Sequence, residues 1–212
     1  MTIRVIPAIL EKDIAEVQKK LDAVSGFAEL AQIDIADGKF VDNMTIRLEE
    51  LKQIKTTVNL EIHLMVENPR SYFAMCQQLK AYRVFWHYEA DSDIEGVIAF
   101  ARQFSFKKGL ALNPESSVSE IKNACQCLDA VMLMGVAPGA QGQVFIPETV
   151  GRVSELKKIY SGSIGVDGGV SEKNIKTLVK AGASDLVVGS ALFGANDVIT
   201  KYKELVNLTK LK

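Results

Sequence analysis

Two stretches decide how this chain is read: Gln32-Ile33-Asp34-Ile35-Ala36-Asp37-Gly38 and Ile164-Gly165-Val166-Asp167-Gly168-Gly169. In each, a short apolar run of strand type ends on an aspartate, with glycine close behind. Further runs of the same kind are Val5–Leu10, Leu60–Met65, Val84–His87, Gly109–Leu112, Ala130–Met134 and Asp185–Val188, which with Leu30–Ile35 and Ser163–Asp167 make eight. Between them lie patterns with apolar residues three and four apart, as a helix requires: Ile14-Val17-Leu21-Val24, then Ile46–Ile54, Tyr72–Leu79, Ile94–Phe104, Val118–Ala124, Val150–Ile159, Ile175–Ala181 and Val198–Leu208. Asp13, Asn68-Pro69, Ser117, Ser171 and Asn196 stand where helices begin, and Gly26 and Gly182 where they end. The strand runs are almost wholly apolar rather than alternating, as in parallel strands covered by helices on the outside.

Eight strand–helix repeats in 212 residues predict a compact (β/α)8 TIM barrel, read as a single domain over residues 1–212. The rival is an open doubly wound sheet, which often carries a glycine-rich turn after its first strand. Here the first strand runs into Pro7-Ala8-Ile9-Leu10-Glu11 without a glycine. No linker or low-complexity segment interrupts the pattern.

Hydrophobic residues make up 48% and charged residues 24%, and the net charge is −1. A near-neutral chain has no global field favouring nucleic acid or an anionic membrane, so an anionic ligand must be held by local dipoles and cations. No apolar stretch reaches the roughly 18 residues a membrane span needs. The start, Thr2-Ile3-Arg4-Val5-Ile6-Pro7, has no signal-peptide core, so a cytoplasmic protein is expected. Cys76, Cys125 and Cys127 lack zinc or redox-motif spacing and read as reduced thiols.

Barrel enzymes carry their chemistry at the C-terminal ends of the strands. The polar residues there are Gln32, Asp34, His63, His87, Glu89, Asn113, Gln141, Gln143, Asp167 and Ser190, and they include both histidines of the chain. If Asp34 and Asp167 face one cavity, one can take a proton from a carbon while the other returns one to its opposite side, the minimal equipment of an epimerase. Taken singly, each also reads as a loop cap or turn residue. Asp37, before Gly38, reads as a turn. Gly168-Gly169 and Gly189-Ser190 follow the last two strands, where barrels commonly hold a phosphate on backbone N–H groups; tight turns are the plainer alternative. Met134–Gln143, rich in small residues, reads as a lid or else as a passive connector.

The chain resembles the ribulose-phosphate 3-epimerase family along essentially its whole length. The motifs that carry the resemblance are Pro7-Ala8-Ile9-Leu10, Ile33–Asn43, His63–Pro69, His87-Tyr88-Glu89-Ala90, Gly109–Pro114, Pro138-Gly139, Gly142-Gln143 and Val166–Val170. The resemblance implies a barrel of the ribulose-phosphate-binding type. It also implies interconversion of D-ribulose 5-phosphate and D-xylulose 5-phosphate at carbon 3, through an enediolate. Asp34 and Asp167 become the acid/base pair and His63 a substrate contact. The phosphate falls to Gly168, Gly169, Gly189 and Ser190, and the lid contacts to Gly139, Ala140, Gln141 and Gly142. Asp34, His63 and Asp167 occupy three of the family's four metal-ligand positions. A sugar-phosphate partner and a homo-oligomer are expected.

The departures fall at the site. Gln32 stands where the fourth ligand, a histidine, is usual, and Ala8 replaces a serine. Ala36 replaces a methionine, although Met65 and Met134 remain. Ala137, Ala140 and Gln141 alter the lid, and Lys39 and Asp42 replace His and Pro. An amide ligand shifts preference toward Mg²⁺ or Mn²⁺ over Zn²⁺ or Fe²⁺. Alternatively no metal is used, and Lys39 or Gln32 donates hydrogen bonds to the enediolate. Ala8, Ala36 and Ala140 would enlarge the pocket, which favours an alternative epimerase acting on a hexulose 6-phosphate. A non-catalytic sugar-phosphate-binding homologue is the third reading. No lysine at a strand end is placed for Schiff-base chemistry.

Overall fold

A computed structural model of the chain describes residues 2–210; residues 1, 211 and 212 of the expected 1–212 barrel lie outside them. Eight parallel strands close on themselves in chain order. They are β1 Arg4–Ile9, β2 Leu30–Ala36, β3 Asn59–Met65, β4 Arg83–His87, β5 Lys107–Leu112, β6 Ala130–Met134, β7 Ser163–Asp167 and β8 Asp185–Val188. The helices outside are α1 Ile14–Val24, α2 Phe73–Gln78, α3 Ile94–Ala101, α4 Thr149–Ile159, α5 Ile175–Ala181, α6 Ser190–Phe193 and α7 Val198–Thr209. No helix among the described residues is long and apolar enough to cross a membrane.

Side chains alternate across each strand, so every strand serves two cores. One set, including Ile33, Ile35, Ile62, Leu64, Trp86, Leu110, Leu133, Val166 and Val188, packs under the helices. The other, including Ile6, Ala8, Phe85, Ala111, Met132, Met134 and Val187, fills the barrel. This two-sided burial is why the strands read as unbroken apolar runs. Phe85 takes the barrel centre because its neighbour across β4 and β5 is Gly109, where a Cβ would stand 2.3 Å from the ring.

Two expected helices take another form. Ile46–Ile54 contains only a 3₁₀ helix, Leu48–Gln53, and Val118–Ala124 is covered mainly by another, Val118–Ile121. Their buried residues, Leu48 with Leu51 and Val118 with Ile121, are three apart, the period of a 3₁₀ turn. Asp13 and Ser117 cap as expected. Asn174 and Asp197, rather than Ser171 and Asn196, stand at the N-caps of α5 and α7. Gly182 ends α5 in the left-handed region, whereas α1 ends through Ser25 in right-handed geometry, closed by Val24 O accepting from Phe27 N and Ala28 N.

At the N-terminal end of the barrel, buried charges form a network. Arg83 bonds Glu61 through Nε at 2.5 Å and Asp185 through Nη1 at 2.8 Å. Arg4 forks onto the same Asp185 with two contacts of 2.8 Å. Burial pushes the Glu61 carboxyl up to about 7, with Arg83 acting against it.

Candidate active site

The opposite, C-terminal end of the barrel is polar for a reason of register. On β2, the alternation that turns Ile33 and Ile35 toward the helices turns Gln32 and Asp34 into the barrel. Pairing of Asp34 with His63 and of Met134 with Asp167 sets these groups at one height. Gln32, Asp34, His63, His87 and Asp167 are all buried.

The amide of Gln32 ties the cluster together. Its Nε2 donates to Asp34 Oδ1 at 2.8 Å and to Asp167 Oδ2 at 2.7 Å, and lies 3.4 Å from His63 Nδ1. His63 Nδ1 stands 3.0 Å from Asp34 Oδ1 and 3.4 Å from Asp167 Oδ2. Burial raises the Asp34 carboxyl, and the charge of Asp167 adds to this against the pull of His63. Burial draws the His63 imidazole down, but its bonds to Asp167 and Asp34 outweigh that and hold it at about 9. Burial also lowers His87, helped by His63.

Above these groups lies a cavity of about 40 Å³, room for a few waters. Asp34, His63, Asp167, Gly139, Ala140, Gln141, Gly142, Gly168, Gly169, Gly189 and Ser190 all line it, so the sequence-predicted residues come to one place, with Gln32 beneath them. Gly168 and Gly169 have φ of 97° and 66°, and their backbone passes so near Val136 and Phe145 that a Cβ would collide. The segment between β6 and α4 covers the mouth. Asn43 Nδ2 ties it to the loop after β2 by a 2.8 Å bond to Gly139 O. Gln141 reaches across to Ala8 O at 3.3 Å and lies over Gly189.

Two expectations, for Ala36 and Lys39, need correction. Ala36 does not line the cavity, whereas Ala8 and Ala140 do, and Gln141 Nε2 donates to the Ala8 carbonyl at 3.3 Å. Lys39, a suggested donor to the enediolate, does not line the cavity; it is largely exposed and its Nζ lies 3.8 Å from Glu67. Asp37 shapes a turn, accepting from the N–H groups of Lys39, Phe40 and Glu67. Sequence reasoning missed the lid tie of Asn43 and gave no role to His87, whose Nε2 lies 2.9 Å from that of His63. Only strand register could have paired the two imidazoles.

The nearest ligand atoms of Asp34, His63 and Asp167 lie within 4.8 Å of one another, a cluster able to hold a divalent metal ion. Gln32 Oε1 is buried without a hydrogen-bond partner. Turned about its last bond, the amide would bring this oxygen to the point where Nε2 now sits. Two carboxylates, one imidazole and one amide oxygen then converge, and this donor set fits such an ion.

A closed barrel with two opposed carboxylates above its strands defines an enzyme class, and comparison with known proteins places the chain within it. Residues 4–193 match the model of the ribulose-phosphate 3 epimerase family. A ribulose-phosphate 3-epimerase of Aquifex aeolicus is 35% identical, covering 95% of both chains, and that of Bacillus subtilis 34% identical, covering 92% of this chain and 94% of its own. Among solved structures, a mutant tryptophan synthase α-subunit of Pyrococcus furiosus superposes with a TM-score of 0.75, covering 98% of this chain and all of its own at 17% identity, which speaks for the fold alone. The chain belongs to the ribulose-phosphate 3-epimerase family and is an isomerase of the epimerase type.

Proposed function

We propose that this chain interconverts D-ribulose 5-phosphate and D-xylulose 5-phosphate by moving a proton at carbon 3. Support comes from the two buried carboxylates of Asp34 and Asp167, joined through one amide nitrogen under a single cavity. Burial, with the charge of Asp167 adding to it, raises the Asp34 carboxyl, which favours a proton on Asp34. The ionised member removes the proton of carbon 3 and the protonated member returns one to the other face, through an enediolate. His63, within reach of both, hydrogen-bonds the enediolate oxygens.

The phosphate rests on the backbone N–H groups of Gly168, Gly169, Gly189 and Ser190. Gly139, Ala140, Gln141 and Gly142 close over the sugar and exclude water. Because the cavity holds about 40 Å³, this segment opens to admit substrate. A divalent cation held by Asp34, His63, Asp167 and the Gln32 amide oxygen would supply Lewis-acid stabilisation of the enediolate. The oxygen-rich set suits Mg²⁺ or Mn²⁺ better than Zn²⁺ or Fe²⁺.

Two measurements test this. Incubated in D₂O with ribulose 5-phosphate, the protein incorporates deuterium at carbon 3 as xylulose 5-phosphate forms. Absence of exchange with every divalent ion tried would remove the proposal and leave the hexulose-phosphate and non-catalytic readings. Gln32→His restores a borderline nitrogen donor and is expected to tighten Zn²⁺ binding at least about tenfold, read by chelator competition. Unchanged Zn²⁺ affinity would place Gln32 outside the cation site.

A further inference from the structure

We infer that the side chain of Gln141 is a phosphate-binding residue: from the lid, its carboxamide donates a hydrogen bond to the phosphate of the sugar and so sets the preference for phosphorylated over unphosphorylated substrate. This rests on the proposed epimerase reading for the place of the phosphate, over Gly168, Gly169, Gly189 and Ser190. Gln141 lines the same cavity as those four residues. A Cβ placed on Gly189 would stand 2.5 Å from Gln141 Nε2, 2.9 Å from Cδ and 3.3 Å from Oε1. The amide therefore lies against the Gly189 backbone with its nitrogen nearest, and an anion seated on the N–H groups there meets it.

The Ala8 carbonyl fixes which end of the amide faces this cradle. Gln141 Nε2 donates to Ala8 O at 3.3 Å, and a carbonyl can only accept. One N–H is spent there. The second finds no acceptor among the described residues, and Oε1 finds no donor. The other glutamine of the lid is a contrast. Gln143 Nε2 gives both hydrogens to its own segment, to Ala137 O at 2.7 Å and Ala140 O at 2.8 Å. Gln143 braces the loop, whereas Gln141 has a donor to spare. Two residues before Gln141, Gly139 O accepts from Asn43 Nδ2 at 2.8 Å, which seats the lid where its side chain overhangs the cradle.

An amide N–H suits this task. Among the described residues, no lysine or arginine lines the cavity, so a phosphate dianion there depends on neutral donors. A hydrogen bond to an ionised oxygen is roughly twice as strong as one to a neutral carbonyl, so the spare N–H gains most from an anion. With phosphate in the cradle, Ala8 O keeps one hydrogen of the amide and the phosphate takes the other. The lid is then joined to β1 and to the substrate through a single side chain. An unphosphorylated sugar leaves that N–H without its partner and forgoes the contact.

Inorganic phosphate tests the contact without turnover. In the wild type, the side-chain ¹H–¹⁵N signals of Gln141, assigned by their loss in Gln141→Ala, should shift as phosphate is added. Gln141→Ala should weaken phosphate binding roughly tenfold, as loss of one charge-assisted hydrogen bond implies. Gln141→Glu should weaken it further, since a carboxylate has no N–H to give and repels the dianion. With sugars, the ratio of kcat/KM for ribulose 5-phosphate to that for unphosphorylated D-ribulose should fall roughly tenfold in Gln141→Ala. A role confined to shaping the lid would lower both alike and leave the ratio as it was. Gln141 signals that ignore phosphate, an unchanged phosphate affinity in Gln141→Ala, or an unchanged ratio would overturn the inference. Failure of the wild type to epimerise ribulose 5-phosphate would instead strike the proposed function, and the phosphate titrations would still judge Gln141.

Discussion

Asp34→Asn and Asp167→Asn should each lower kcat for epimerisation by roughly 10²- to 10⁴-fold, the span of general acid–base catalysis. Asparagine keeps the shape of aspartate and can present its amide oxygen to Gln32 Nε2, so the barrel should persist. What disappears is one of two proton carriers. The remaining carboxylate can still take and return a proton on its own face of carbon 3. Each variant should therefore exchange solvent deuterium into one epimer only, and the two variants into opposite epimers. Mass spectrometry of each sugar phosphate after incubation in D₂O reads this out. Exchange into both epimers by a single variant would eliminate the two-carboxylate mechanism. Asp167→Asn should also lower the pKa of Asp34, because the charge of Asp167 now helps to raise it.

The largest effect on stability is expected at the other end of the barrel. Arg83 is 2% exposed and holds both Glu61 and Asp185. Arg83→Ala leaves a buried carboxylate at Glu61 without its cation, a change that costs about 3–5 kcal/mol. In a chain of this size that lowers Tm by roughly 6–20 °C. The loss should grow with pH. Burial already lifts Glu61 from its ordinary 4.5 to about 7 with Arg83 opposing, and without Arg83 it rises further. A folded state that holds the proton more tightly than the unfolded chain loses stability as pH climbs above the unfolded pKa. Urea melts at pH 5 and pH 8 test this: equal destabilisation at both would mean that Glu61 does not titrate as its burial implies. Glu61→Leu with Arg83→Met should recover much of the loss, since Asp185 keeps Arg4.

The site was legible in the sequence to differing depths. Asp34 and Asp167 stood out because each ends an apolar run, and a carboxylate there breaks a pattern that burial otherwise enforces. The glycines after β7 and β8 stood out because their backbones need freedom that other residues lack. The helices after β2 and β5 were misread because two apolar residues three apart satisfy both an α and a 3₁₀ pattern when the run is short. Lys39 lies five residues from Asp34 in the chain, which suggests a donor to the enediolate. The turn at Asp37-Gly38 instead carries it outward to Glu67. Gln141 reads in the sequence as a change in the lid, and in the fold it reaches across to the Ala8 carbonyl.

The amino-acid sequence by itself determined the eight-fold alternation, the closed barrel and the identity of the groups at its mouth. Periodicity and strand-end chemistry are local properties that the order of residues carries directly. Only the tertiary structure decided that the Gln32 amide sits between the two aspartates, that His87 meets His63 back to back, and that Gln141 lies across β1 and β8. Those contacts depend on strand register and barrel closure, which bring together side chains far apart in the chain, at distances no spacing along it encodes.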